Sequence, residues 1–141
     1  RTHMEISAKV LSGPDVLEVR VASDASLQTL AFPAKATGRG SAVNGGEFLT
    51  LAVATCYCND LYREAERLGI AISACEVMAT ALFNGIGQGA TSIRYSAQVV
   101  SSAAPERIEQ LLSETDRLAE VHNTLRAGCA VERVAWQDPL S

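Results

Sequence analysis

An α+β fold, in which mainly antiparallel sheet packs around one long central helix, is what this sequence predicts. Two observations carry that expectation. Segments with a polar–apolar period of two come in pairs joined by turn residues, which favours hairpins over the single strands of a parallel, helix-crossed sheet. One segment, residues 47–68, is also far longer and more apolar than a strand, and ends on a glycine.

With 141 residues, 48% hydrophobic and 20% charged, the chain is long enough to bury a core, and we expect a single domain over residues 4–141. Arg1-Thr2-His3, ahead of Met4, reads as a foreign remnant. A net charge of -4 and a pI near 5.1 give no electrostatic reason to expect nucleic acid or an anionic membrane. The longest apolar run, Phe48 to Cys58, is too short to span a bilayer and is interrupted by Thr50 and Thr55. The four cysteines are scattered and no signal segment precedes them, so they are expected to be reduced, in a cytoplasm.

The elements follow in order. Ile6, Ala8 and Val10 alternate with polar neighbours, Gly13-Pro14-Asp15 marks a turn, and residues 16–21 repeat the alternation, giving a hairpin. A short strand is expected at Leu27 to Phe32, before a loop rich in small residues. Helix one runs from Glu47 to Leu68 and stops at Gly69, which suits the left-handed position after a helix. Residues 70–83 and 91–100 return to period two around "NGIGQGA", a second hairpin. Pro105 suits a first helical position, and Ile108, Leu111, Leu112, Thr115, Leu118 and Ala119 form the stripe of an amphipathic helix. After "HNTLRAG", alternation from Cys129 to Trp136 predicts a last strand. The first half of helix one is apolar on every side, more than one small sheet can cover, and this predicts a dimer.

Cys56 and Cys58 lie in that helix. At 100° per residue, Leu51, Ala54, Cys58, Leu61, Ala65 and Leu68 share an apolar stripe, which makes Cys58 core. Cys56 lies roughly 200° away. It sits where Ala52 and Val53 give way to Asn59, Asp60 and Arg63, the polar-edged surroundings a working thiol needs. A buried cysteine that merely fills space is the competing interpretation, and it is the one favoured for Cys58, Cys75 and Cys129. Residues two apart on a helix diverge, so Cys56 and Cys58 are not a disulfide pair. No paired spacing among the cysteines, His3 and His122 makes a zinc motif, so neither metal nor other cofactor is expected.

"NGGEFLTLAVATCYCNDLYREAERLGI", a hairpin, and then "APERIEQLLSETDRLAEVHNTLRAG" together resemble the osmotically inducible protein C and organic hydroperoxide resistance family (OsmC/Ohr). Asn44-Gly45-Gly46-Glu47 stands where the family has Asn-Pro-x-Glu, and Glu47 to Cys56 keeps the nine-residue spacing to its reactive cysteine. Asn123-Thr124-Leu125 matches the tail of the family's second motif, Cys-Pro-x-Ser-Asn-Thr-Leu. The resemblance implies an OsmC-like fold, an intertwined homodimer with sites at the interface, and Cys56 as a thiol that attacks an organic hydroperoxide. Glu47 and Asn123 are carried over as ligand-side residues. His122, in the segment the family brings near that cysteine, is the candidate base or stabilising cation; the competing view makes it a polar loop residue that touches nothing.

Two departures bear on function. The position of the family's second, resolving cysteine is Ala119, and the place of a carboxylate that pairs with an arginine is Gly46; Arg20 is not securely that arginine. Hydroperoxidase chemistry is therefore expected to be altered or lost. If it persists, the protein is a one-cysteine, peroxiredoxin-like reductase serving oxidative stress, recharged by an external thiol. The alternatives are a non-catalytic dimer that holds a small apolar ligand in its interface pocket, and a dimeric scaffold for another protein.

Overall fold

The computed structural model describes residues 3–140, so Arg1 and Thr2 of the expected remnant lie outside the described residues. The chain divides into two compact units, one made of residues 1–44 and 131–141 and the other of Gly45–Ala130.

In the first unit, β1 (Ile6–Gly13), β2 (Val16–Ser23) and β3 (Ser26–Leu30) form an antiparallel meander in that order. Gly13 faces Val16 across the first turn, with Lys9 opposite Arg20. The second turn forces Asp24 to a φ of 49°, where a short polar side chain is tolerated. Val19 and Ala22 are the buried positions of β2. Lys9 and Asp138 form an ion pair at 2.8 Å.

The second unit holds α1 (Gly45–Leu68), the hairpin of β4 (Ala74–Phe83) and β5 (Ala90–Val100), α2 (Pro105–Leu118) and α3 (Glu120–Ala127). Gly69 ends α1 at a φ of 70°, and its N–H bonds the Glu66 carbonyl. Strand alternation is kept through β4 and β5 except near their shared turn, where the register shifts at Leu82 and Phe83: Val77, Ala79, Tyr95 and Ala97 turn inward, while Met78, Thr80, Arg94 and Ser96 turn out. The core is built by Tyr57, Leu61, Ala65, Ile70, Leu111 and Ala119, with α2 and the inner face of the hairpin against α1. Tyr57 also donates its hydroxyl to the Leu112 carbonyl at 2.7 Å, pinning α2 to α1.

Four expectations need correction. The last strand does not form: residues 128–136 carry no strand, and Val131, Val134 and Trp136 are exposed. Alternation gives a strand only where a neighbouring edge accepts its hydrogen bonds. "HNTLRAG" is not a loop but most of α3, separated from α2 because Ala119 turns extended, with ψ at 115°. The buried stripe of α1 is also rotated from the one expected. It consists of Val53, Tyr57, Asp60, Leu61, Glu64 and Ala65, while Leu51 is 51% exposed and Cys58 only half-buried. The two acids on that stripe tolerate burial because arginines reach them: Glu64 lies 2.9 Å from Arg63 and 2.7 Å from Arg67. Cys129, expected in the core, is exposed.

Candidate functional site

Cys56 sits half-buried on α1, one turn before Asp60. Its Sγ lies 3.6 Å from Asp60 Oδ2, to which the thiol donates, and 4.0 Å from Glu120 Oε1 at the start of α3. The nearby Val121 backbone N–H favours the charged form of the sulfur. The α2–α3 junction thus closes over Cys56 through two successive residues, 64 and more positions away in the chain. Ala119, the residue before them, is fully buried in the core against which Cys56 packs.

The electrostatics oppose ionisation of this thiol. Burial pushes the Cys56 pKa above its ordinary value of 9.0; the Val121 N–H pulls the other way, while the charges of Asp60 and Glu120 add to the rise. Asp60 is itself pushed up, first by burial and then by Glu120 facing it. Glu120 goes down although burial opposes it, because its own backbone N–H, Asp60 and Arg63 favour the charged form. Arg63 spends its charge on acids, at 3.1 Å from Asp60 and 3.3 Å from Glu120. Cys56, Asp60 and Glu120 do place three ligand-type atoms within 4.8 Å of one another, but that guanidinium already occupies the carboxylates.

His122, Asn123 and Glu47 fall elsewhere in the second unit. His122 is no idle loop residue: it is 5% exposed on α3, its ring 4.5 Å from that of Tyr95 and 5.7 Å from that of Tyr57. Neither ring nitrogen has a hydrogen-bond partner among the described residues, so His122 does not bond Cys56. Burial lowers its pKa, Arg126 lowers it further and Asp116 opposes, which leaves the imidazole neutral at neutral pH. It borders a small pocket, about 80 Å³, with Val53, Ile93, Tyr95, Leu125 and Arg126. Asn123 serves the α2–α3 junction, donating to the Arg117 carbonyl at 3.0 Å and accepting from Arg126 at 3.2 Å. Glu47 is exposed in the first turn of α1. Nine residues of helix put it about half a turn around and roughly 13 Å along the axis from Cys56, so the helix does not bring the two together. Arg20 Nε is buried without a hydrogen-bond partner among the described residues. The residues that sequence reasoning did not assign are Glu120 and Val121, and only their place just after Ala119 pointed to them.

A thiol on an apolar helix, met by the segment that follows α2, is the arrangement the sequence motifs imply. The family model described as OsmC-like protein matches residues 38–133. The chain belongs to that family. A search of curated proteins gives no match for this OsmC-like chain. Among solved structures it is similar to an OsmC-like protein from Mycoplasma pneumoniae, with 20% identity and a TM-score of 0.63 over 89% of this chain and 88% of that one. It is also similar to an organic hydroperoxide resistance protein from Legionella pneumophila, at 14% identity and a TM-score of 0.56 over 88% and 89% of the two chains. A third likeness is to an organic hydroperoxide resistance protein from Elizabethkingia anophelis, crystallised with thiocyanate bound, at 16% identity and a TM-score of 0.56 over 89% of each chain. At these identities the likeness is one of fold, and it agrees with the α+β class expected from the sequence. No helix among the described residues is long and apolar enough to cross a membrane.

Proposed function

We propose that this OsmC-like protein is a one-thiol relative of the organic hydroperoxide reductases, in which Cys56 is the attacking thiol and is held back at neutral pH. The observation that carries this is the surroundings of Cys56 Sγ: two carboxylates and a half-buried position, with only the Val121 N–H favouring the thiolate. The nucleophile is the thiolate, so its small population sets the rate. Attack on the outer oxygen of a hydroperoxide forms the S–O bond, breaks the O–O bond and releases the alcohol, leaving a sulfenic acid at Cys56. Because residue 119 is alanine, no second thiol stands ready there. An external thiol then attacks the sulfenic sulfur, water leaves, and a second equivalent frees Cys56.

The test acts on the carboxylate. Asp60→Asn removes a negative charge that favours the protonated thiol, and it frees Arg63, so oxidation of Cys56 by an organic hydroperoxide at neutral pH should become faster, by about threefold for each unit the thiol pKa falls, because the thiolate fraction grows faster than its nucleophilicity declines. Stopped-flow or mass-resolved oxidation measures it. A slower reaction in a folded Asp60→Asn protein would mean that Asp60 assists the chemistry instead of restraining it.

Homodimerisation belongs to the same proposal. Leu51 on α1 and Met78 and Leu82 on the outer hairpin face are exposed in the protomer, more apolar surface than water favours on so small a unit. A monodisperse monomer in sedimentation at micromolar concentration would refute it. A cytoplasmic location belongs to the same proposal, since the four cysteines are scattered along the chain without the paired spacing of a disulfide framework. A second reading, binding of a small apolar ligand without turnover, is favoured by the pocket beside His122, where a buried imidazole lacks a partner. Ligand-induced protection of His122 and Leu125 resonances would support that reading against catalysis.

A further inference from the structure

Cys58 and Cys75 come together although nothing in the family pattern pairs them. Cys58 lies on the flank of α1, half-buried, and Cys75 is the second residue of β4, inward-facing and half-buried. Their sulfur atoms are 3.5 Å apart. A disulfide needs an approach of about 1.5 Å more, within reach of χ1 rotation in two short side chains. One turn after Cys58, Tyr62 is 47% exposed and its phenol lies beside Cys75, so the half-buried pair sits near the surface and not in the sealed core. No carboxylate bonds either sulfur among the described residues, in contrast to Cys56.

We propose that Cys58 and Cys75 form a dithiol redox site, distinct from Cys56, which a hydroperoxide closes to an intramolecular disulfide joining α1 to β4. The step balances without any other reagent. One thiolate attacks the outer oxygen of the hydroperoxide; an S–O bond forms, the O–O bond breaks, and the alkoxide takes up the thiol's proton and leaves as alcohol. The second thiol attacks the sulfenic sulfur; the S–S bond forms, the S–O bond breaks, and hydroxide leaves with the second proton as water. Two thiols are oxidised by two electrons, and the hydroperoxide is reduced to alcohol and water. The proposal does not depend on the reactivity of Cys56. It supplies within one protomer the paired thiols that Ala119 denies to Cys56.

The test is thiol mapping of the full chain, and of its Cys56→Ser variant, after treatment with tert-butyl hydroperoxide in the native state. Free thiols are blocked in denaturant and the protein is digested without reduction. The expected product links the Cys58 and Cys75 peptides, is two hydrogens lighter than the reduced pair, reverts with dithiothreitol, and forms in both proteins. The link should vanish in Cys58→Ser and in Cys75→Ser. Should the Cys56→Ser variant fail to fold, the parental chain carries the same readout. Recovery of both peptides as free thiols while Cys56 or Cys129 is oxidised would overturn the proposal. So would sulfinic acid at either position without a link, or a link found only between chains.

Discussion

Leu61→Ala should destabilise the protein by about 3–4 kcal/mol, the loss of a fully buried leucine together with the cavity it leaves. Leu61 is 0% exposed and lies where α1 meets α2, in the cluster that Tyr57, Ala65, Ile70, Leu111 and Ala119 complete. Its neighbours along α1 cannot close the gap, because Tyr57 is fixed by its bond to the Leu112 carbonyl and Glu64 by two arginines. A drop of this size lowers the melting temperature by about 10 °C for a chain of this length, read by calorimetry at matched protein concentration. Leu51→Ala is the natural comparison. With half of its surface exposed, Leu51 adds little to this core, and its truncation should cost well under half as much as Leu61→Ala.

Ala119→Cys has the second large effect, on chemistry. Residue 119 is fully buried, and its two followers both reach Cys56, Glu120 through its carboxylate and Val121 through its N–H. A thiol introduced there should form a disulfide with Cys56 on oxidation, since bridging needs Cα atoms within roughly 4.4–6.8 Å and side chains that converge. Mass mapping under non-reducing conditions should find that link in nearly all oxidised molecules. Dithiol-dependent turnover should rise with it, limited still by the restrained Cys56 thiol. Failure to cross-link in the folded variant would remove Cys56 from the place that the family motifs assign to the attacking thiol.

Both variants rest on features that differ in how far the sequence announces them. Helix α1 and its glycine stop are legible because the apolar run is long and Gly69 has a conformational reason to be there. The two hairpins are legible because each strand's period of two is matched by an adjacent partner. The same period between Cys129 and Trp136 misleads because pairing is not a local property: the segment joins neither sheet, and Val131 and Trp136 remain in solvent. Helix α3 was missed because Asn123 and Thr124 resemble loop residues in isolation; their side chains instead bond the Arg117 and Glu120 carbonyls. For the site, Asp60 beside Cys56 is a matter of helical spacing, one turn along. Glu120, Val121 and the Cys58–Cys75 contact depend on how α3 and β4 pack against α1, and no sequence period encodes that packing.

The restraint on Cys56 is tested most directly by its rate of sulfenic acid formation with an organic hydroperoxide as a function of pH, followed by trapping and mass mapping beside a Cys56→Ser control. With the thiol pKa above its ordinary value of 9.0, the rate should be low near neutrality and rise about tenfold per pH unit from about pH 6 to about pH 8, with no plateau in that range. A rate already high and independent of pH over the same range would show a thiolate present at neutrality, and would contradict the restraint by burial, Asp60 and Glu120.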